Sequence, residues 1–456
     1  MDLSSSVWAV REFGHASLGD PRRVRRLVKM AESLIEHPAG RVTAAFSGDA
    51  EREGAYRLLA STRFAWADIA TSIHVATAQR SAAFDRVIVP VDGIAFTLSS
   101  SRGDFGPISN KTRLVRSGVQ GMTALALTPD GVPLGLLAHR WWNRRPECAP
   151  RPKTERRPIV ERETVHWLRA IEQAVGALQA HAPATRPWFQ LDRGGDSADV
   201  LLRAIELGAD VTVRACYDRV LTNGRLWAKA ATGAFLGTHR VKLSSGRVAR
   251  TSVRACEVEL HLMPGVRSRP NTHRITMRVV EVRERCRDGA GICWRLLTTM
   301  PVRTMRDALH VITGYTRRWR IEEFHLAWKS GACAAEGSWM RKPQHFYKWA
   351  TILSAVAARL ERIKLLSRTE PDRPALDEYT RDEIDAAIAL RKPKGVAFGA
   401  TPTLGEMTRW VADIGGYTGK SSGGPPGIRV LHRGFERVAS AAIAIASIRK
   451  DQQSRE

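Results

Sequence analysis

From Val165 to Ala215 the chain runs through a helical repeat, a short apolar run, a second helical repeat and a second apolar run, an order that leaves few folds open. Val165, Leu168, Ile171, Val175 and Leu178 recur at helical spacing, and Trp188-Phe-Gln-Leu-Asp192 is an apolar run ending in an acid. Ala198 to Leu207 reads as a helix stopped by Gly208, and Asp210 to Ala215 as the next strand. A β-α-β unit of this kind predicts an open α/β sheet, which gathers its ligands at the carboxyl ends of its strands. Asp192 stands at that edge. Upstream, Val87-Ile-Val-Pro-Val91 followed by Asp92-Gly93 predicts another strand closed by an acid. Met122 to Leu127, a Pro129-Asp130-Gly131 turn and Val132 to Leu137 predict a hairpin. Two acids, Asp92 and Asp192, are thus expected at one end of one sheet.

Residues of about 209–300 are rich in short alternating runs such as Cys256, Val258, Leu260 and Leu262, which predicts a mostly β insertion. Met305 to about Leu366 reads as helical. Within it, Tyr315, Arg318, Glu322 and Lys329 fall on one arc of a helix, while Ile321, Phe324 and Trp328 form a separate flank suited to burial. Glu323 points about 100° away from Glu322, so Glu322 is the candidate acid of the pair. A charged surface helix with ordinary ion pairs would show the same pattern. Pro371 to Thr380 reads as a linker, followed by helices at Thr403 to Ile414 and Val430 to Ile448.

Charge narrows the partners. Lys and Arg number 71 against 46 Asp and Glu, a formal charge of +25, which favours a polyanion. In the N-terminal region Asp20-Pro21 predicts a helix start. The helix places Arg22, Arg25, Arg26 and Lys29 on one face, beside Arg23, and Leu27, Met30 and Leu34 on the other. A row of cations of this kind suits a phosphate backbone, as it suits a merely solvated face. Glu51 to Leu59, with Tyr56 and Arg57, predicts a second helix. The basic run Arg144, Arg145, Arg151, Lys153, Arg156 and Arg157 is either a DNA contact or a solvated loop. Six cysteines (Cys148, Cys216, Cys256, Cys286, Cys293, Cys333) form no C-x-x-C pair, which argues against a disulfide framework or a zinc finger. The apolar segments are too short to span a bilayer and the first residues lack an export pattern, so a cytoplasmic protein is expected.

Asp92, Asp192 and Glu322 together would offer hard oxygen ligands suited to Mg²⁺ or Mn²⁺, and two such ions can drive in-line displacement at phosphorus. Tyr315-x2-Arg318-x3-Glu322-x6-Lys329 resembles the Y-R-E-K signature of the insertion-sequence-four family of DDE transposases. Ser17-Leu-Gly-Asp-Pro-Arg-Arg23, Glu53-Gly-Ala-Tyr-Arg57, Trp141-Trp142, Ile414-Gly-Gly-Tyr417 and Gly434-Phe435 are similar in order and spacing, so the resemblance covers nearly the whole chain. Asp192-Arg-Gly-Gly-Asp196 resembles the family's Asp-Arg-Glu-Ala-Asp but departs at Gly194 and Gly195.

The resemblance implies an α/β protein with an RNase H-like catalytic core, a mixed five-stranded sheet with helices, at residues 81–368. The β-rich insertion would lie within that core, between a helical end-DNA-binding domain at 1–80 and a helical dimerisation domain at 369–456. It implies that Asp92, Asp192 and Glu322 hold two Mg²⁺ or Mn²⁺ ions per site. Tyr315, Arg318 and Lys329 would grip the end DNA, as would Trp294 by stacking a flipped base. Arg22, Arg23, Arg26, Tyr56 and Arg57 are the expected N-terminal DNA contacts. The implied activity is cut-and-paste transposition on double-stranded DNA: nicking, hairpin formation, hairpin opening and strand transfer. The homodimer would be nucleoid-associated and need no nucleotide cofactor. An RNase H-like nuclease without strand transfer and an inactive DNA-binding or inhibitor descendant are the alternatives.

Overall fold

The structure, a computed structural model, describes residues 5–98, 104–108, 116–144, 162–242, 246–264, 272–284, 291–419 and 424–453. The basic residues from 145 to 157 lie outside them. The chain begins with helices α1 (Ser5–Phe13), α2 (Pro21–Glu36), α3 (Val42–Ala45), α4 (Asp49–Ala60) and α5 (Trp66–Ser81). Asp20 caps α2 by accepting from the Arg22 N–H at 2.8 Å, with Pro21 at the first helical position. Leu27, Met30, Ala31, Leu34 and Ile35 turn inward, which leaves the arginines of the same helix outside.

Strands β1 (Arg86–Thr97), β2 (Gly106–Pro107), β3 (Ser117–Leu127) and β4 (Pro133–Trp142) follow. Then come α6 (Thr164–His181), β5 (Arg186–Leu191), α7 (Ala198–Glu206) and β6 (Asp210–Arg214), the expected β-α-β unit. β7 (Val220–Leu221) and β8 (Gly224–Arg225) form a small ribbon before α8 (Leu226–Ala231). The long strands β9 (Ala234–Lys242), β10 (Val248–Leu262), β11 (His273–Glu284) and β12 (Cys293–Thr298) complete the β structure. β5 and β6 run parallel to β1, whereas β3 is antiparallel to β1 and β4 to β3.

The expected five-stranded sheet is part of something larger. β12 pairs antiparallel with the free edge of β6 through Leu297↔Val213, so the insertion extends the same sheet to ten strands, with β9 outermost. Cα pairing across the whole sheet gives the order β2-β3-β1-β5-β6-β12-β11-β10-β9, with β4 also on β3. An open edge of β6 carries unpaired N–H and C=O groups, and the insertion satisfies them.

Helices α9 (Met305–Thr316) and α10 (Arg320–Lys329) are separated by a 3₁₀ turn at Arg317–Trp319. The stretch from Met305 to about Leu366, expected as helical, consists of three helices, the last being α11 (Pro343–Thr369), and the Tyr315–Lys329 motif expected on one helix is divided by that turn. α11 is buried nearly all round, as a helix through the middle of a protein must be. Its Trp349 donates from Nε1 to the Gly40 carbonyl at 2.7 Å, and the Lys348 ammonium donates to the carbonyls of Leu59 and Ser61. Gly40 itself lies so close to the backbone at Ala334 that a Cβ there would sit 1.9 Å from the Ala334 oxygen. The N-terminal helices are therefore keyed onto α11 rather than tethered to it.

Helices α12 (Arg381–Arg391), α13 (Leu404–Ile414) and α14 (Ile428–Gln453) close the chain. The segment 371–380, expected as a linker, is a packed turn: Tyr379 is 1 % exposed, its hydroxyl bonds Thr408 at 3.1 Å, and Pro374 bridges to Thr403. Its prolines and charges mark a change of direction and carry no information on packing.

His74 of α5 and His139 of β4 stack in the core, share a hydrogen bond of 2.9 Å, and His139 bonds the Ser354 hydroxyl of α11 at 2.8 Å. Burial lowers the pKa of His74 from 6.5 to about 3 and that of His139 well below 6.5. The unfolded chain takes up protons near pH 6.5 and the folded core does not, so this stability is complete above that pH and is lost as pH falls toward 3. For His74 the loss is about 2 kcal/mol at pH 5. Urea unfolding at pH 7.5 and pH 5 should show it, and His74→Gln should remove much of the pH dependence; a midpoint equal at both pH values would mean that the imidazoles are solvated.

Candidate functional site

β1 and β5 are in parallel register from Arg86↔Arg186 to Val91↔Leu191, so the next residue on each strand is an aspartate. Asp92 and Asp192 directly follow the last register pair, close enough that the charge of Asp192 acts on Asp92. Asp92 does not close its strand as expected: β1 continues to Thr97 on β3, with Asp92 opposite Thr123. What ends at Asp92 is the pairing with β5, where the chain after Leu191 leaves the sheet. Asp192 caps the 3₁₀ turn Arg193–Gly195, accepting from the Gly194 N–H at 2.7 Å, while Asp92 accepts from the Gly93 N–H at 2.8 Å.

Gly194 and Gly195 have a local reason. A Cβ on Gly194 would lie 3.3 Å from Trp167 of α6, and one on Gly195 would lie 3.0 Å from Trp167 and 2.8 Å from Leu191. The indole occupies the space that larger residues would need. Asp196 is 2 % exposed and binds the Arg219 guanidinium at 2.6 and 2.8 Å and the Cys216 N–H at 2.6 Å, so it anchors the loop.

Glu322 of α10 reaches the same place. The Arg318 guanidinium donates to Glu322 Oε1 at 2.6 Å and to Asp92 Oδ2 at 3.3 Å, bridging the two acids. Asp92 is raised from 3.8 to about 6, chiefly by burial and then by the charge of Asp192; Arg318 and the Gly93 N–H oppose the shift, and Glu322 adds to it. The three carboxylates are thus one electrostatic unit. Among the described residues no three His, Cys, Asp or Glu side chains stand in ligand geometry around a common point. The donor set is nevertheless of the right chemistry for a hard divalent cation: oxygens only, with a guanidinium already supplying positive charge between two of them. Glu322 must release Arg318 for all three to converge. Glu323 faces the other way, to Arg320 at 3.0 Å and Lys364 of α11 at 3.2 Å.

Ile321, Phe324 and Trp328 are fully buried, as the helical spacing predicts. Tyr315, by contrast, is only 6 % exposed, and Trp294 packs edge-on against it at 5.8 Å. Burial raises the Tyr315 pKa, and Arg318 lies 6.0 Å from its ring. Lys329 donates to the Ala95 carbonyl of β1 at 2.7 Å and pairs with Glu336 at 3.3 Å. Tyr315 and Lys329 thus brace α9 and α10 against the sheet.

The sequence did not single out His325. It is partly buried and shares a hydrogen bond of 2.9 Å with Thr123, the residue opposite Asp92. Its pKa is lowered to about 3 by burial, then by Arg318 and Lys329. The signal was its place one turn after Glu322. Arg193 and Arg214 were also missed; they line a cleft with Trp227 and Arg295 beside Asp192, and a cation at a strand's carboxyl end was the available clue.

A second basic site lies on the N-terminal helices. Arg22, Arg23, Arg26 and Arg57 line a groove between α2 and α4, with Gly54 at its floor. A Cβ on Gly54 would sit 2.6 Å from the Arg26 guanidinium, so the glycine makes room for that side chain. Tyr56 is about half exposed next to it. Arg23 donates to the Leu18 carbonyl at 2.8 Å and Arg57 pairs with Glu53 at 2.5 Å, leaving Arg22 and Arg26 as the less committed cations. Arg144, the described member of the later basic run, pairs with Glu163 and donates to the Ile108 carbonyl at 2.8 Å.

A family model described as transposase DNA-binding matches residues 5–64, the stretch of α1 to α4 that carries this groove. The match supports a transposase role and DNA as the partner. Among the described residues no helix is long and apolar enough to cross a membrane.

Asp192→Asn removes a negative charge facing Asp92, so Asp92 should titrate lower than in the unaltered protein by carbon-detected NMR. An unchanged or higher titration point would show that the two acids do not sense one another. Arg22→Ala combined with Arg26→Ala should weaken duplex binding and reduce the slope of log affinity against log salt by roughly two, near one per lost phosphate contact. An unaltered slope would place the DNA elsewhere.

Proposed function

We propose that this protein is a DDE transposase of the insertion-sequence-four kind, which excises its element by cutting both ends and joins the 3′-ends to target DNA. The observation that carries the proposal is the presence, in one chain, of a transposase DNA-binding match at 5–64, of Asp92 and Glu322 bridged by Arg318, and of Asp192 close enough for its charge to act on Asp92. The strand order β4-β3-β1-β5-β6, with β3 alone running antiparallel to the other four, supports an RNase H-like core.

Asp92, Asp192 and Glu322 would hold two Mg²⁺ or Mn²⁺ ions, which when bound supply Lewis-acid activation of an oxygen nucleophile and charge neutralisation at the leaving oxygen. The remaining work belongs to the chain itself. Arg318 neutralises Asp92 and Glu322 while no phosphate is present, and it is placed to turn its guanidinium to a DNA phosphate. Lys329, fixed on β1, contributes a second positive charge at the same edge. Trp294 lies against Tyr315, where one aromatic face could receive a base extruded during hairpin formation, offsetting the stacking lost in the duplex. The four reactions of the cycle are all displacements at phosphorus by an oxygen nucleophile: water, 3′-hydroxyl, water, then 3′-hydroxyl on target. One site suffices for all of them, with no nucleotide cofactor.

A homodimer in the synaptic complex, associated with the nucleoid in a bacterial cytoplasm, belongs to the same proposal. Of the apolar residues on the last helix, Val438 is 1 % exposed within its own chain, Ile445 is partly packed and Ile448 is 57 % exposed. The side chain of Ile443 lies outside the description. Val438 is thus spent on intrachain packing, and a dimer contact on α14 would draw on its distal part.

Purified protein incubated with labelled duplexes carrying the element ends and Mn²⁺ should yield cleaved ends, hairpins and joined products. Glu322→Ala should reduce each by at least ~10²-fold while leaving end binding intact. Cleavage without joining would identify a nuclease, and binding without cleavage by either protein a DNA-binding descendant.

A further inference from the structure

The extension of the sheet has two unlike faces. Val241, Val253, Val280, Val282 and Leu296 point to one side and pack on the core that includes α9. On the other side the strands divide along their length. Their lower halves, with Val258, Leu260, Met277 and Val279, are apolar and carry α8 through Leu226 and Ala230. Over their upper halves α8 contributes Trp227, which lies against Arg295.

Register fixes what is displayed there, because paired residues share a face. Arg240↔Arg250 links β9 to β10, Phe235↔Arg254 forms the next row, and Arg254↔Glu281↔Arg295 carries that row to β12. Ser252↔Arg283 lies between. The face therefore carries five arginines and one acid, Glu281, which is 2 % exposed and already bound to Arg283 and Arg295 at 2.9 Å. Arg240 and Arg250 are exposed and directly opposed, an arrangement that destabilises a sheet unless an anion lies over it. Aromatic rings interleave with the cations. Arg254 lies 5.6 Å from the exposed Phe235 ring and Arg295 lies 4.6 Å from Trp227. At the inner end, the cleft of Arg193, Arg214, Trp227 and Arg295 adjoins Asp192.

We infer that this open sheet face binds a single-stranded DNA segment that runs outward from the scissile position, its phosphates on Arg240, Arg250 and Arg254 and its bases on Phe235 and Trp227. Duplex DNA would satisfy the cations but leave the rings unused, because its bases are stacked within the helix. An unpaired strand uses both, combining a cationic track with aromatic platforms. In the proposed cycle hairpin formation unpairs DNA beside Asp192, and this face adjoins the place where that unpaired strand emerges. The inference rests on the transposase reading for its ligand and position, and not for its geometry.

The test uses the full-length protein, a fluorescent 20-nucleotide single strand of mixed sequence and a duplex carrying the element end, followed by anisotropy at several salt concentrations. Arg240→Glu with Arg250→Glu should weaken single-strand binding at least tenfold and reduce its salt dependence, whereas duplex end binding and the melting temperature stay as in the unaltered protein. Phe235→Ala should weaken single-strand binding on the order of tenfold with the salt dependence unchanged, the mark of lost stacking. Unchanged single-strand affinity in the double variant overturns the inference, as does an equal loss for single strand and duplex. Failure of the wild-type protein to cut or join ends would count against the transposase reading alone, because the binding contrast is read without catalysis.

Discussion

The parallel register of β1 with β5 sets nearly everything else in this protein. Side chains alternate along a strand, so a slip of one residue in Val91↔Leu191 would move Asp92 to the opposite face from Asp192. That register is held from both sides. Val87, Val89, Val91, Phe189 and Leu191 pack with α6 and α7, and Ile88 and Trp188 face the core that α9 and α11 complete. Trp188 further bonds Thr212 at 3.0 Å, and a Cβ on Gly314 of α9 would sit 2.3 Å from its ring. A large side chain locked at a glycine leaves little room for alternative pairing. The acids are consequently positioned by buried apolar contacts, and their own repulsion is opposed by the fold.

That repulsion is visible in Asp92, pushed up to about 6 in spite of Arg318. Two carboxylates drawn from water close together cost free energy unless positive charge is close. Arg318 supplies it, and it is itself mostly buried, so the guanidinium and the acids depend on one another. A phosphate offers Arg318 an equally good partner, and a divalent cation offers the acids a better one. On the proposed reading, exchange from one set of pairs to the other would keep every charge partnered throughout.

The sequence made local order legible and long-range pairing opaque. The helical repeat at Val165 to Leu178, the strand at Trp188 and the buried flank of Ile321, Phe324 and Trp328 all lie where periodicity puts them, because burial of one face is a local signal. Asp92 looked like a strand end because Asp-Gly signals a turn, yet β3 continues the pairing after β5 departs. Nothing in the residues 209–300 announces that β12 will dock on β6, since strand partners are chosen by tertiary packing. The 3₁₀ turn at Arg317–Trp319 escaped notice for a different reason: 3.6 and 3.0 residues per turn diverge too little over three residues to disturb a pattern. Hydrophilic composition similarly disguised 371–380, where Ala375, Leu376 and Tyr379 are apolar anchors set in a polar stretch.

The 3₁₀ turn also decides which part of the site is able to adjust. Beyond it, α10 is fastened by His325 to Thr123, Lys329 to the Ala95 carbonyl, Trp328 Nε1 to the Ala350 carbonyl at 2.9 Å, and Glu323 to Lys364. Before it, α9 is fixed by the Thr304 and Asp307 capping box and by Ala308, Val311 and Ile312 in the core. Arg318 sits in the tighter turn between these two anchored helices, and Glu322 is on the first turn of the second. A change of rotamer at Arg318 separates it from Glu322 without moving either helix, whereas moving Glu322 to Arg318's former position needs only its own side-chain torsions. Rigid elements thus carry the acids, and the contact between Arg318 and Glu322 lies across a short irregular turn.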